Sequence, residues 1–152
     1  MACRIAPLLL AAALVASCAP PVKWVGADRP PRDLDTVLKE NPLAVGENIR
    51  AVRLLRNDHV EQLLVQVRYR EPLHYHADSD LTVMMMRGKG VIRIGANETV
   101  LHAGDIVHVP RGIVHAYIND GPDVGVAFVA MSPPPGPADR VLVESGQTPA
   151  SR

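Results

Sequence analysis

Hydrophobic and polar residues alternate in short runs over most of the chain beyond residue 45. The alternation is clearest in residues 63–70, where every second side chain is apolar or aromatic. A period of two is typical of a strand with one buried face. The pattern predicts eight or nine strands, over residues 49–56, 60–70, 73–76, 81–86, 90–94, 99–101, 106–109, 114–118 and 124–131.

Turn-forming residues separate these runs at short intervals. Glycine, asparagine, aspartate and proline cluster between the predicted strands, for example at residues 95–97 and 119–122. Short strands at such regular spacing, with no long helix among them, indicate an all-β sandwich or barrel. We expect this barrel to occupy residues 46–132.

The segments on either side of the predicted barrel differ from it. Residues 18–45 are expected to form a tether and one short helix, because proline, charge and small residues replace the alternation there. Asp33 is a suitable N-cap for a helix over residues 34–41, which Pro42 would end. In the proline-rich tail, residues 133–152, the prolines end the sheet, and residues 138–152 form either an arm packed on the surface or a frayed end.

Residues 1–17 have the pattern of a signal peptide. Arg4 precedes an apolar run of twelve residues at 5–16, which is too short to span a bilayer. The small residues before Cys18 resemble a bacterial lipobox, which implies cleavage before Cys18 and attachment of lipid to its thiol. An ordinary secretory signal with an incidental cysteine is the alternative. The lipoprotein resemblance implies a protein anchored to a membrane of the cell envelope. With Ala19 after the cysteine, it implies the outer membrane, facing the periplasm, in a diderm organism.

Composition narrows the classes of partner and the sources of stability. Sixteen basic and sixteen acidic residues give no net charge, so no electrostatic attraction to nucleic acid is expected. Aromatic residues make up only 3% of the chain, which predicts an aliphatic core. The two cysteines, Cys3 and Cys18, lie in or next to the signal segment, so the mature domain is expected to have no disulfide.

Three histidines are candidates for a metal site. His74 and His76 are two residues apart on a predicted strand, so their side chains share one face. Pro110 and Gly112 predict a turn, after which His115 enters the next strand near its start. Three imidazoles that converge from two hairpins suit one transition-metal ion, Fe, Zn, Mn, Ni or Cu. Histidines held by hydrogen bonds in a polar pocket without metal are the alternative.

These residues also carry a family resemblance. The pattern Gly104-x5-Pro110-x-Gly112-x2-His115-x3-Asn119 resembles the second sequence motif of the cupin superfamily at each defining position. Residues 72–76, with the strand that follows to Gly88, resemble the first. The resemblance implies a jelly-roll barrel, also called a double-stranded β-helix, in which the three histidines bind metal. It also implies a small single-domain cupin that forms a homodimer.

The sequence departs from the cupin pattern at one position. The first motif usually has a glutamate seven residues before its glycine, and Leu81 occupies that place. The neighbouring Asp80 could be a fourth ligand only through a bulge or from the preceding loop, because strict alternation turns it away. A carboxylate would favour Fe(II) or Mn(II), whereas three imidazoles alone resemble a zinc or thiol-dioxygenase-type iron site.

The candidate catalytic residues are few. Tyr117 shares a face with His115, and His108 lies near the same turn, so either could act beside the metal; Asp80 is a third candidate. Two functions remain open. One is a metal-dependent enzyme of the cell envelope, of the dioxygenase, isomerase or lyase type, that acts on a small molecule. The other is a non-catalytic cupin lipoprotein that binds a metal or a small ligand.

Overall fold

The computed structural model describes residues 21–143. The predicted signal peptide, the lipidation site Cys18 and the end of the tail from residue 144 lie outside the described residues. The helix α1 spans Leu34–Glu40, and no helix in the described range is long and apolar enough to cross a membrane. The strands are β1 (Lys23–Gly26), β2 (Arg29–Asp33), β3 (Ile49–Arg56), β4 (Glu61–Val67), β5 (His74–His76), β6 (Asp80–Arg87), β7 (Lys89–Ile94), β8 (Asn97–His102), β9 (Ile106–Val109), β10 (His115–Asn119), β11 (Gly125–Ser132) and β12 (Arg140–Leu142).

The described residues fall into two compact units, 21–38 and 39–143. In the first, β1 and β2 form an antiparallel hairpin in which Lys23 lies opposite Asp33. This corrects the prediction of a tether without regular structure. The strand β2 was not predicted, because it contains two prolines and its hydrophobic and polar residues do not alternate. An edge strand can nevertheless accept proline. The helix begins as predicted, with the Thr36 N–H donating to Asp33 Oδ1 at 3.0 Å.

The second unit contains two five-stranded sheets. Their strand orders are β12-β5-β10-β7-β8 and β3-β4-β11-β6-β9, and neighbouring strands are antiparallel throughout. Most consecutive strands cross from one sheet to the other, as β4 to β5 and β9 to β10 do, whereas β3–β4 and β7–β8 are hairpins within one sheet; this is the topology of a jelly roll. The all-β, double-stranded β-helix fold with a short N-terminal helix is therefore confirmed.

The interior of this unit is largely aliphatic, as the composition predicted. On β6, Leu81, Val83 and Met85 point inward, whereas Met84 remains 36% exposed on the other face. The same period of two runs through the neighbouring strands, which is why the alternation located them well. Two clusters of buried side chains result, one made of Val67, Met85, Ile92, Leu101 and Tyr117 and the other of Leu81, Val109, Val129 and Met131.

Part of the proline-rich tail belongs to the barrel. After the prolines, β12 pairs with the edge of β5, so that Arg140 lies opposite His76 and Leu142 opposite His74. Of the two alternatives left open for the tail, the packed arm is therefore the one observed up to residue 143. This pairing satisfies backbone groups along the edge of β5 that water or another chain would otherwise have to satisfy.

Candidate metal centre and cavity

Neighbouring strands bring the three histidines together. His115 of β10 lies opposite His74 of β5, and His76 is two residues further along β5 on the same face. One ring nitrogen from each lies within 4.8 Å of the others, and all three residues are buried. The turn before β10 is held in place, because the Gly112 N–H donates to the His76 carbonyl at 2.7 Å. Gly112 has a φ of 76°, which a side chain would strain.

Backbone carbonyls fix the orientation of two rings. His74 Nδ1 lies 2.8 Å from the Pro72 carbonyl oxygen, and His115 Nδ1 lies 2.9 Å from that of Ile113. A carbonyl oxygen can only accept, so each Nδ1 carries the proton and each Nε2 is left with a free lone pair. Metal-binding histidines in proteins usually have such a partner on the second nitrogen.

The third ring is oriented by a carboxylate. His76 Nδ1 lies 2.5 Å from Asp139 Oδ2, and the other carboxylate oxygen accepts from the N–H groups of Asp78 and Ser79 at 2.7 and 3.0 Å. Burial by itself would raise the pKa of Asp139. The hydrogen bonds from His76 and the two N–H groups outweigh that effect and lower the pKa. The carboxylate therefore stays charged although the residue is only 1% exposed.

Burial also keeps two of the rings, those of His74 and His115, neutral. The pKa of His74 falls to about 3 because the ring is buried and because it would repel a protonated His115, and burial lowers the pKa of His115. Neutral imidazoles with directed lone pairs are the form that binds metal. His74, His76 and His115 therefore fit a transition-metal ion such as zinc, iron, manganese, nickel or copper.

The three histidines line a cavity of about 470 Å³ inside the barrel. This volume is within the range of small-molecule binding sites. Most of its other lining residues are aliphatic side chains, glycine or proline, contributed by both sheets. The polar exceptions are Glu71, Tyr117 and Arg140. The cavity thus offers an apolar body with a few polar contacts next to the histidines.

Tyr117 was predicted as a candidate for this pocket, and the structure places it in the cavity wall. Its ring has room because Gly90 and Gly125 lack side chains; a Cβ at Gly90 would lie 2.5 Å from the ring, and one at Gly125 would lie 2.9 Å from the hydroxyl. Burial raises the pKa of Tyr117 to about 12. The hydroxyl is buried and has no hydrogen-bond partner among residues 21–143.

Glu71 and Arg140 were not predicted. Glu71 is half-buried and lines the cavity, and its N–H donates to the Tyr117 carbonyl at 2.8 Å. Burial raises the pKa of the Glu71 carboxyl, while the nearby Arg140 opposes that shift. Neither residue lies in an alternating run, so no sequence signal indicated which way its side chain points. The glutamate's position three residues before His74 was the only available hint.

The remaining candidates lie elsewhere. Both carboxylate oxygens of Asp80 accept from Arg111, at 2.8 Å from Nη2 and from the backbone N–H, and this hydrogen bonding holds the pKa of Asp80 low. Asp80 does not join the histidine cluster. Leu81, by contrast, is 6% exposed and lines the cavity. His108 is exposed, because alternation on β9 turns Val109 inward and its neighbour outward.

Comparison with known proteins agrees with this architecture. A protein family described as "Cupin domain" matches residues 63–131. An uncharacterized protein of Aquifex aeolicus (strain VF5) is 33% identical over 113 residues, which cover 74% of this chain and 92% of that protein. The match thus extends over nearly the whole relative. The chain belongs to the cupin family.

Solved structures agree on the fold. TT1209 from Thermus thermophilus superposes with a TM-score of 0.60 at 23% identity, over 68% of this chain and 97% of that one. A conserved protein with a double-stranded β-helix domain from Klebsiella pneumoniae gives a TM-score of 0.59 at 23% identity, over 71% and 95% of the two chains. At these identities the likeness shows the fold alone, so activity has to be argued from the site.

Proposed function

We propose that this protein is a metal-dependent cupin that acts on a small organic molecule held in the barrel cavity. The observation that carries the proposal is the convergence of three buried imidazoles on the wall of a cavity of about 470 Å³. When bound, the metal would supply a Lewis acid that polarises a substrate oxygen or activates water, or, if the ion is redox-active, electrons for chemistry with dioxygen. Dioxygenase, isomerase and lyase chemistry are all compatible with such a site.

The chain's own residues would do the rest. The aliphatic wall holds the body of the substrate and keeps bulk water away from it. Glu71 is the acidic side chain of the cavity lining, and its raised pKa suits a group that takes up and releases a proton. Tyr117 offers an unpaired hydroxyl to a polar group of the substrate. We propose Glu71 as the proton-transfer residue and Tyr117 as a positioning residue.

A non-catalytic role is the second candidate, and Leu81 favours it. A leucine occupies the place where the cupin motif has a carboxylate, and Asp80 is engaged by Arg111. The histidines would then bind metal without a protein carboxylate from this motif. Such a site could hold a metal or a small ligand without turning it over.

We also propose that the protein is a lipoprotein of the cell envelope, anchored through Cys18. The apolar run at residues 5–16 and the small residues before the cysteine support this. Cys18→Ser should move the protein from the membrane to the soluble fraction, while Cys3→Ser should leave it in the membrane fraction. A homodimer is proposed from the family resemblance, and sedimentation velocity of the purified protein tests it.

Metal content tests the central proposal. The protein purified from its native envelope should contain about one transition-metal ion per chain by elemental analysis. His74→Ala, His76→Ala and His115→Ala should each lose most of it, whereas His108→Ala, which changes an exposed histidine of the same barrel, should retain it. Equal metal content in all four variants, or none in the wild type, would refute the proposal.

Turnover separates the two candidate functions. The metal-loaded protein is incubated with a panel of small organic acids, amides and alcohols, and products are followed by NMR. An enzyme should convert at least one compound, and Glu71→Gln should abolish conversion with metal content unchanged. Binding of a compound without conversion, unaffected by Glu71→Gln, would support the non-catalytic role.

A further inference from the structure

We infer that the cavity selects small organic acids and that Arg140 of the C-terminal strand binds their carboxylate. This inference rests on the proposed function, because it names the class of molecule that the metal-binding cavity takes. The ligand would consist of a hydrocarbon or aromatic body in the aliphatic cavity and an anionic group at the guanidinium.

Arg140 is the arginine of the cavity lining. Its pairing with His76 on β5 places its backbone beside the histidine cluster. Directly opposite residues of two antiparallel strands point to the same face of the sheet, so the Arg140 side chain lies on the cavity face with His76, and its positive charge lowers the pKa of His74 and of His115. A cationic group next to a metal site and facing an apolar cavity is a natural anchor for an anion.

The guanidinium is also available. Arg140 is exposed and forms no ion pair with a carboxylate anywhere in residues 21–143. Its positive charge nevertheless opposes the rise in the pKa of Glu71 that burial causes. Other arginines of the barrel form salt bridges, such as Arg50 with Glu47 and Arg111 with Asp80. A free planar guanidinium can form two parallel hydrogen bonds to a carboxylate.

The cavity favours a carboxylate over a phosphate. A phosphate dianion usually requires several cationic groups, and the lining supplies one arginine together with the acidic Glu71. The aliphatic walls contributed by β4, β6 and β11 suit an apolar body. A singly charged acid with a short hydrocarbon chain matches both features.

The test uses three probes with one skeleton: hexanoate, hexan-1-ol and hexylamine. Binding is measured by NMR titration of the metal-free full-length protein, because a bound metal could itself hold a carboxylate. Hexanoate should bind at least tenfold more tightly than either the neutral or the cationic analogue. Arg140→Gln should bring hexanoate to the affinity of hexan-1-ol, and Arg140→Lys should keep part of the preference.

Arg93→Gln serves as the matched control, because it removes the same charge from an exposed arginine whose Nε donates to the Gly95 carbonyl. This variant should bind hexanoate as the wild type does. Equal affinity for hexanoate and hexan-1-ol in the wild type, or an unchanged preference in Arg140→Gln, would overturn the inference. Displacement of hexanoate by an equal concentration of inorganic phosphate would overturn the choice of a carboxylate.

Metal analysis of the same preparations separates this inference from the proposed function. Arg140→Gln and Arg140→Lys should bind metal as the wild type does. A wild-type protein that binds no metal but prefers hexanoate would refute the metal site and leave the anion site standing. A protein with full metal content and no preference for hexanoate would refute the anion site and leave the metal site standing.

Discussion

The Asp139 carboxylate and the His76 imidazole meet at 2.5 Å although 63 positions separate them in the chain. The contact joins the C-terminal arm to the histidine cluster. The same carboxylate accepts two backbone N–H groups from the loop after β5, so it also fixes the loop that follows the ligand strand. A carboxylate that accepts from the Nδ1–H group makes Nε2 a better electron-pair donor, which strengthens a metal bond.

Asp139→Asn should therefore weaken metal binding by about 10- to 100-fold. The amide oxygen can still accept from the Asp78 and Ser79 N–H groups, so the loop should stay in place. The amide nitrogen would face His76 Nδ1 and favour the wrong tautomer. Affinity is measured by competition with a chelator, using zinc or cobalt.

Asp78→Asn is the control for that experiment, because Asp78 is exposed and its backbone, not its side chain, contacts Asp139. It should bind metal with wild-type affinity. If Asp139→Asn also binds metal as tightly as the wild type, the carboxylate has no role in orienting His76.

Leu81→Glu should place a carboxylate where the cupin motif usually has one. We expect metal selectivity to move toward Fe(II) and Mn(II), because an added oxygen ligand suits those ions better than three imidazoles alone. The metal-free variant should lose about 3 kcal/mol of unfolding free energy, since the charge is buried without a partner. Elemental analysis after loading from an equimolar mixture of metals measures the selectivity.

Val83→Glu is the matched control, two residues along the same strand and also lining the cavity. It should share the loss of stability without the shift in selectivity. The same shift in both variants would show that any carboxylate in the cavity suffices and that position 81 is not special.

The ligand set could be predicted from the sequence because its geometry is local. His74 and His76 share a face through simple alternation, and the Pro110 to Gly112 turn brings in His115. The hydrophobic alternation likewise located β3 and β9 at the observed bounds, Ile49–Arg56 and Ile106–Val109. The same alternation could have excluded His108 from the candidate site residues, because its neighbours on β9 are the inward-facing valines.

Asp139, Arg140 and Glu71 could not be found in the same way. Asp139 and Arg140 act through β12, a three-residue strand that exists only because it pairs with β5. No periodicity can develop over so few residues, and the preceding prolines suggested an end to regular structure. Glu71 lies in the irregular segment between β4 and β5, where side-chain direction depends on tertiary packing.

The metal-free protein should lose stability as the pH falls from about 6.5 toward 3. The unfolded chain binds a proton at His74 near its ordinary pKa of 6.5, whereas burial holds the folded pKa near 3. Between these values the unfolded state binds more protons, so stability decreases with falling pH, by up to about 1.4 kcal/mol per pH unit for this residue. Urea unfolding from pH 7 to pH 4 measures the slope. His74→Gln should have a shallower slope, and an unchanged slope would contradict the burial of a neutral His74.

Tyr117→Phe should stabilise the ligand-free protein while impairing its site. Tyr117 is 7% exposed and its hydroxyl has no partner in the described part of the chain, so removing the hydroxyl relieves an unsatisfied buried group. We expect a gain of about 1 kcal/mol in unfolding free energy, measured by urea titration.

Ile92→Val, which changes a buried neighbour in the same cluster without altering a polar group, should instead lose about 1 kcal/mol. A loss of stability in Tyr117→Phe would mean that the hydroxyl has a partner in the folded protein. Stability gained with no effect on binding of any small molecule would assign the tyrosine to packing alone.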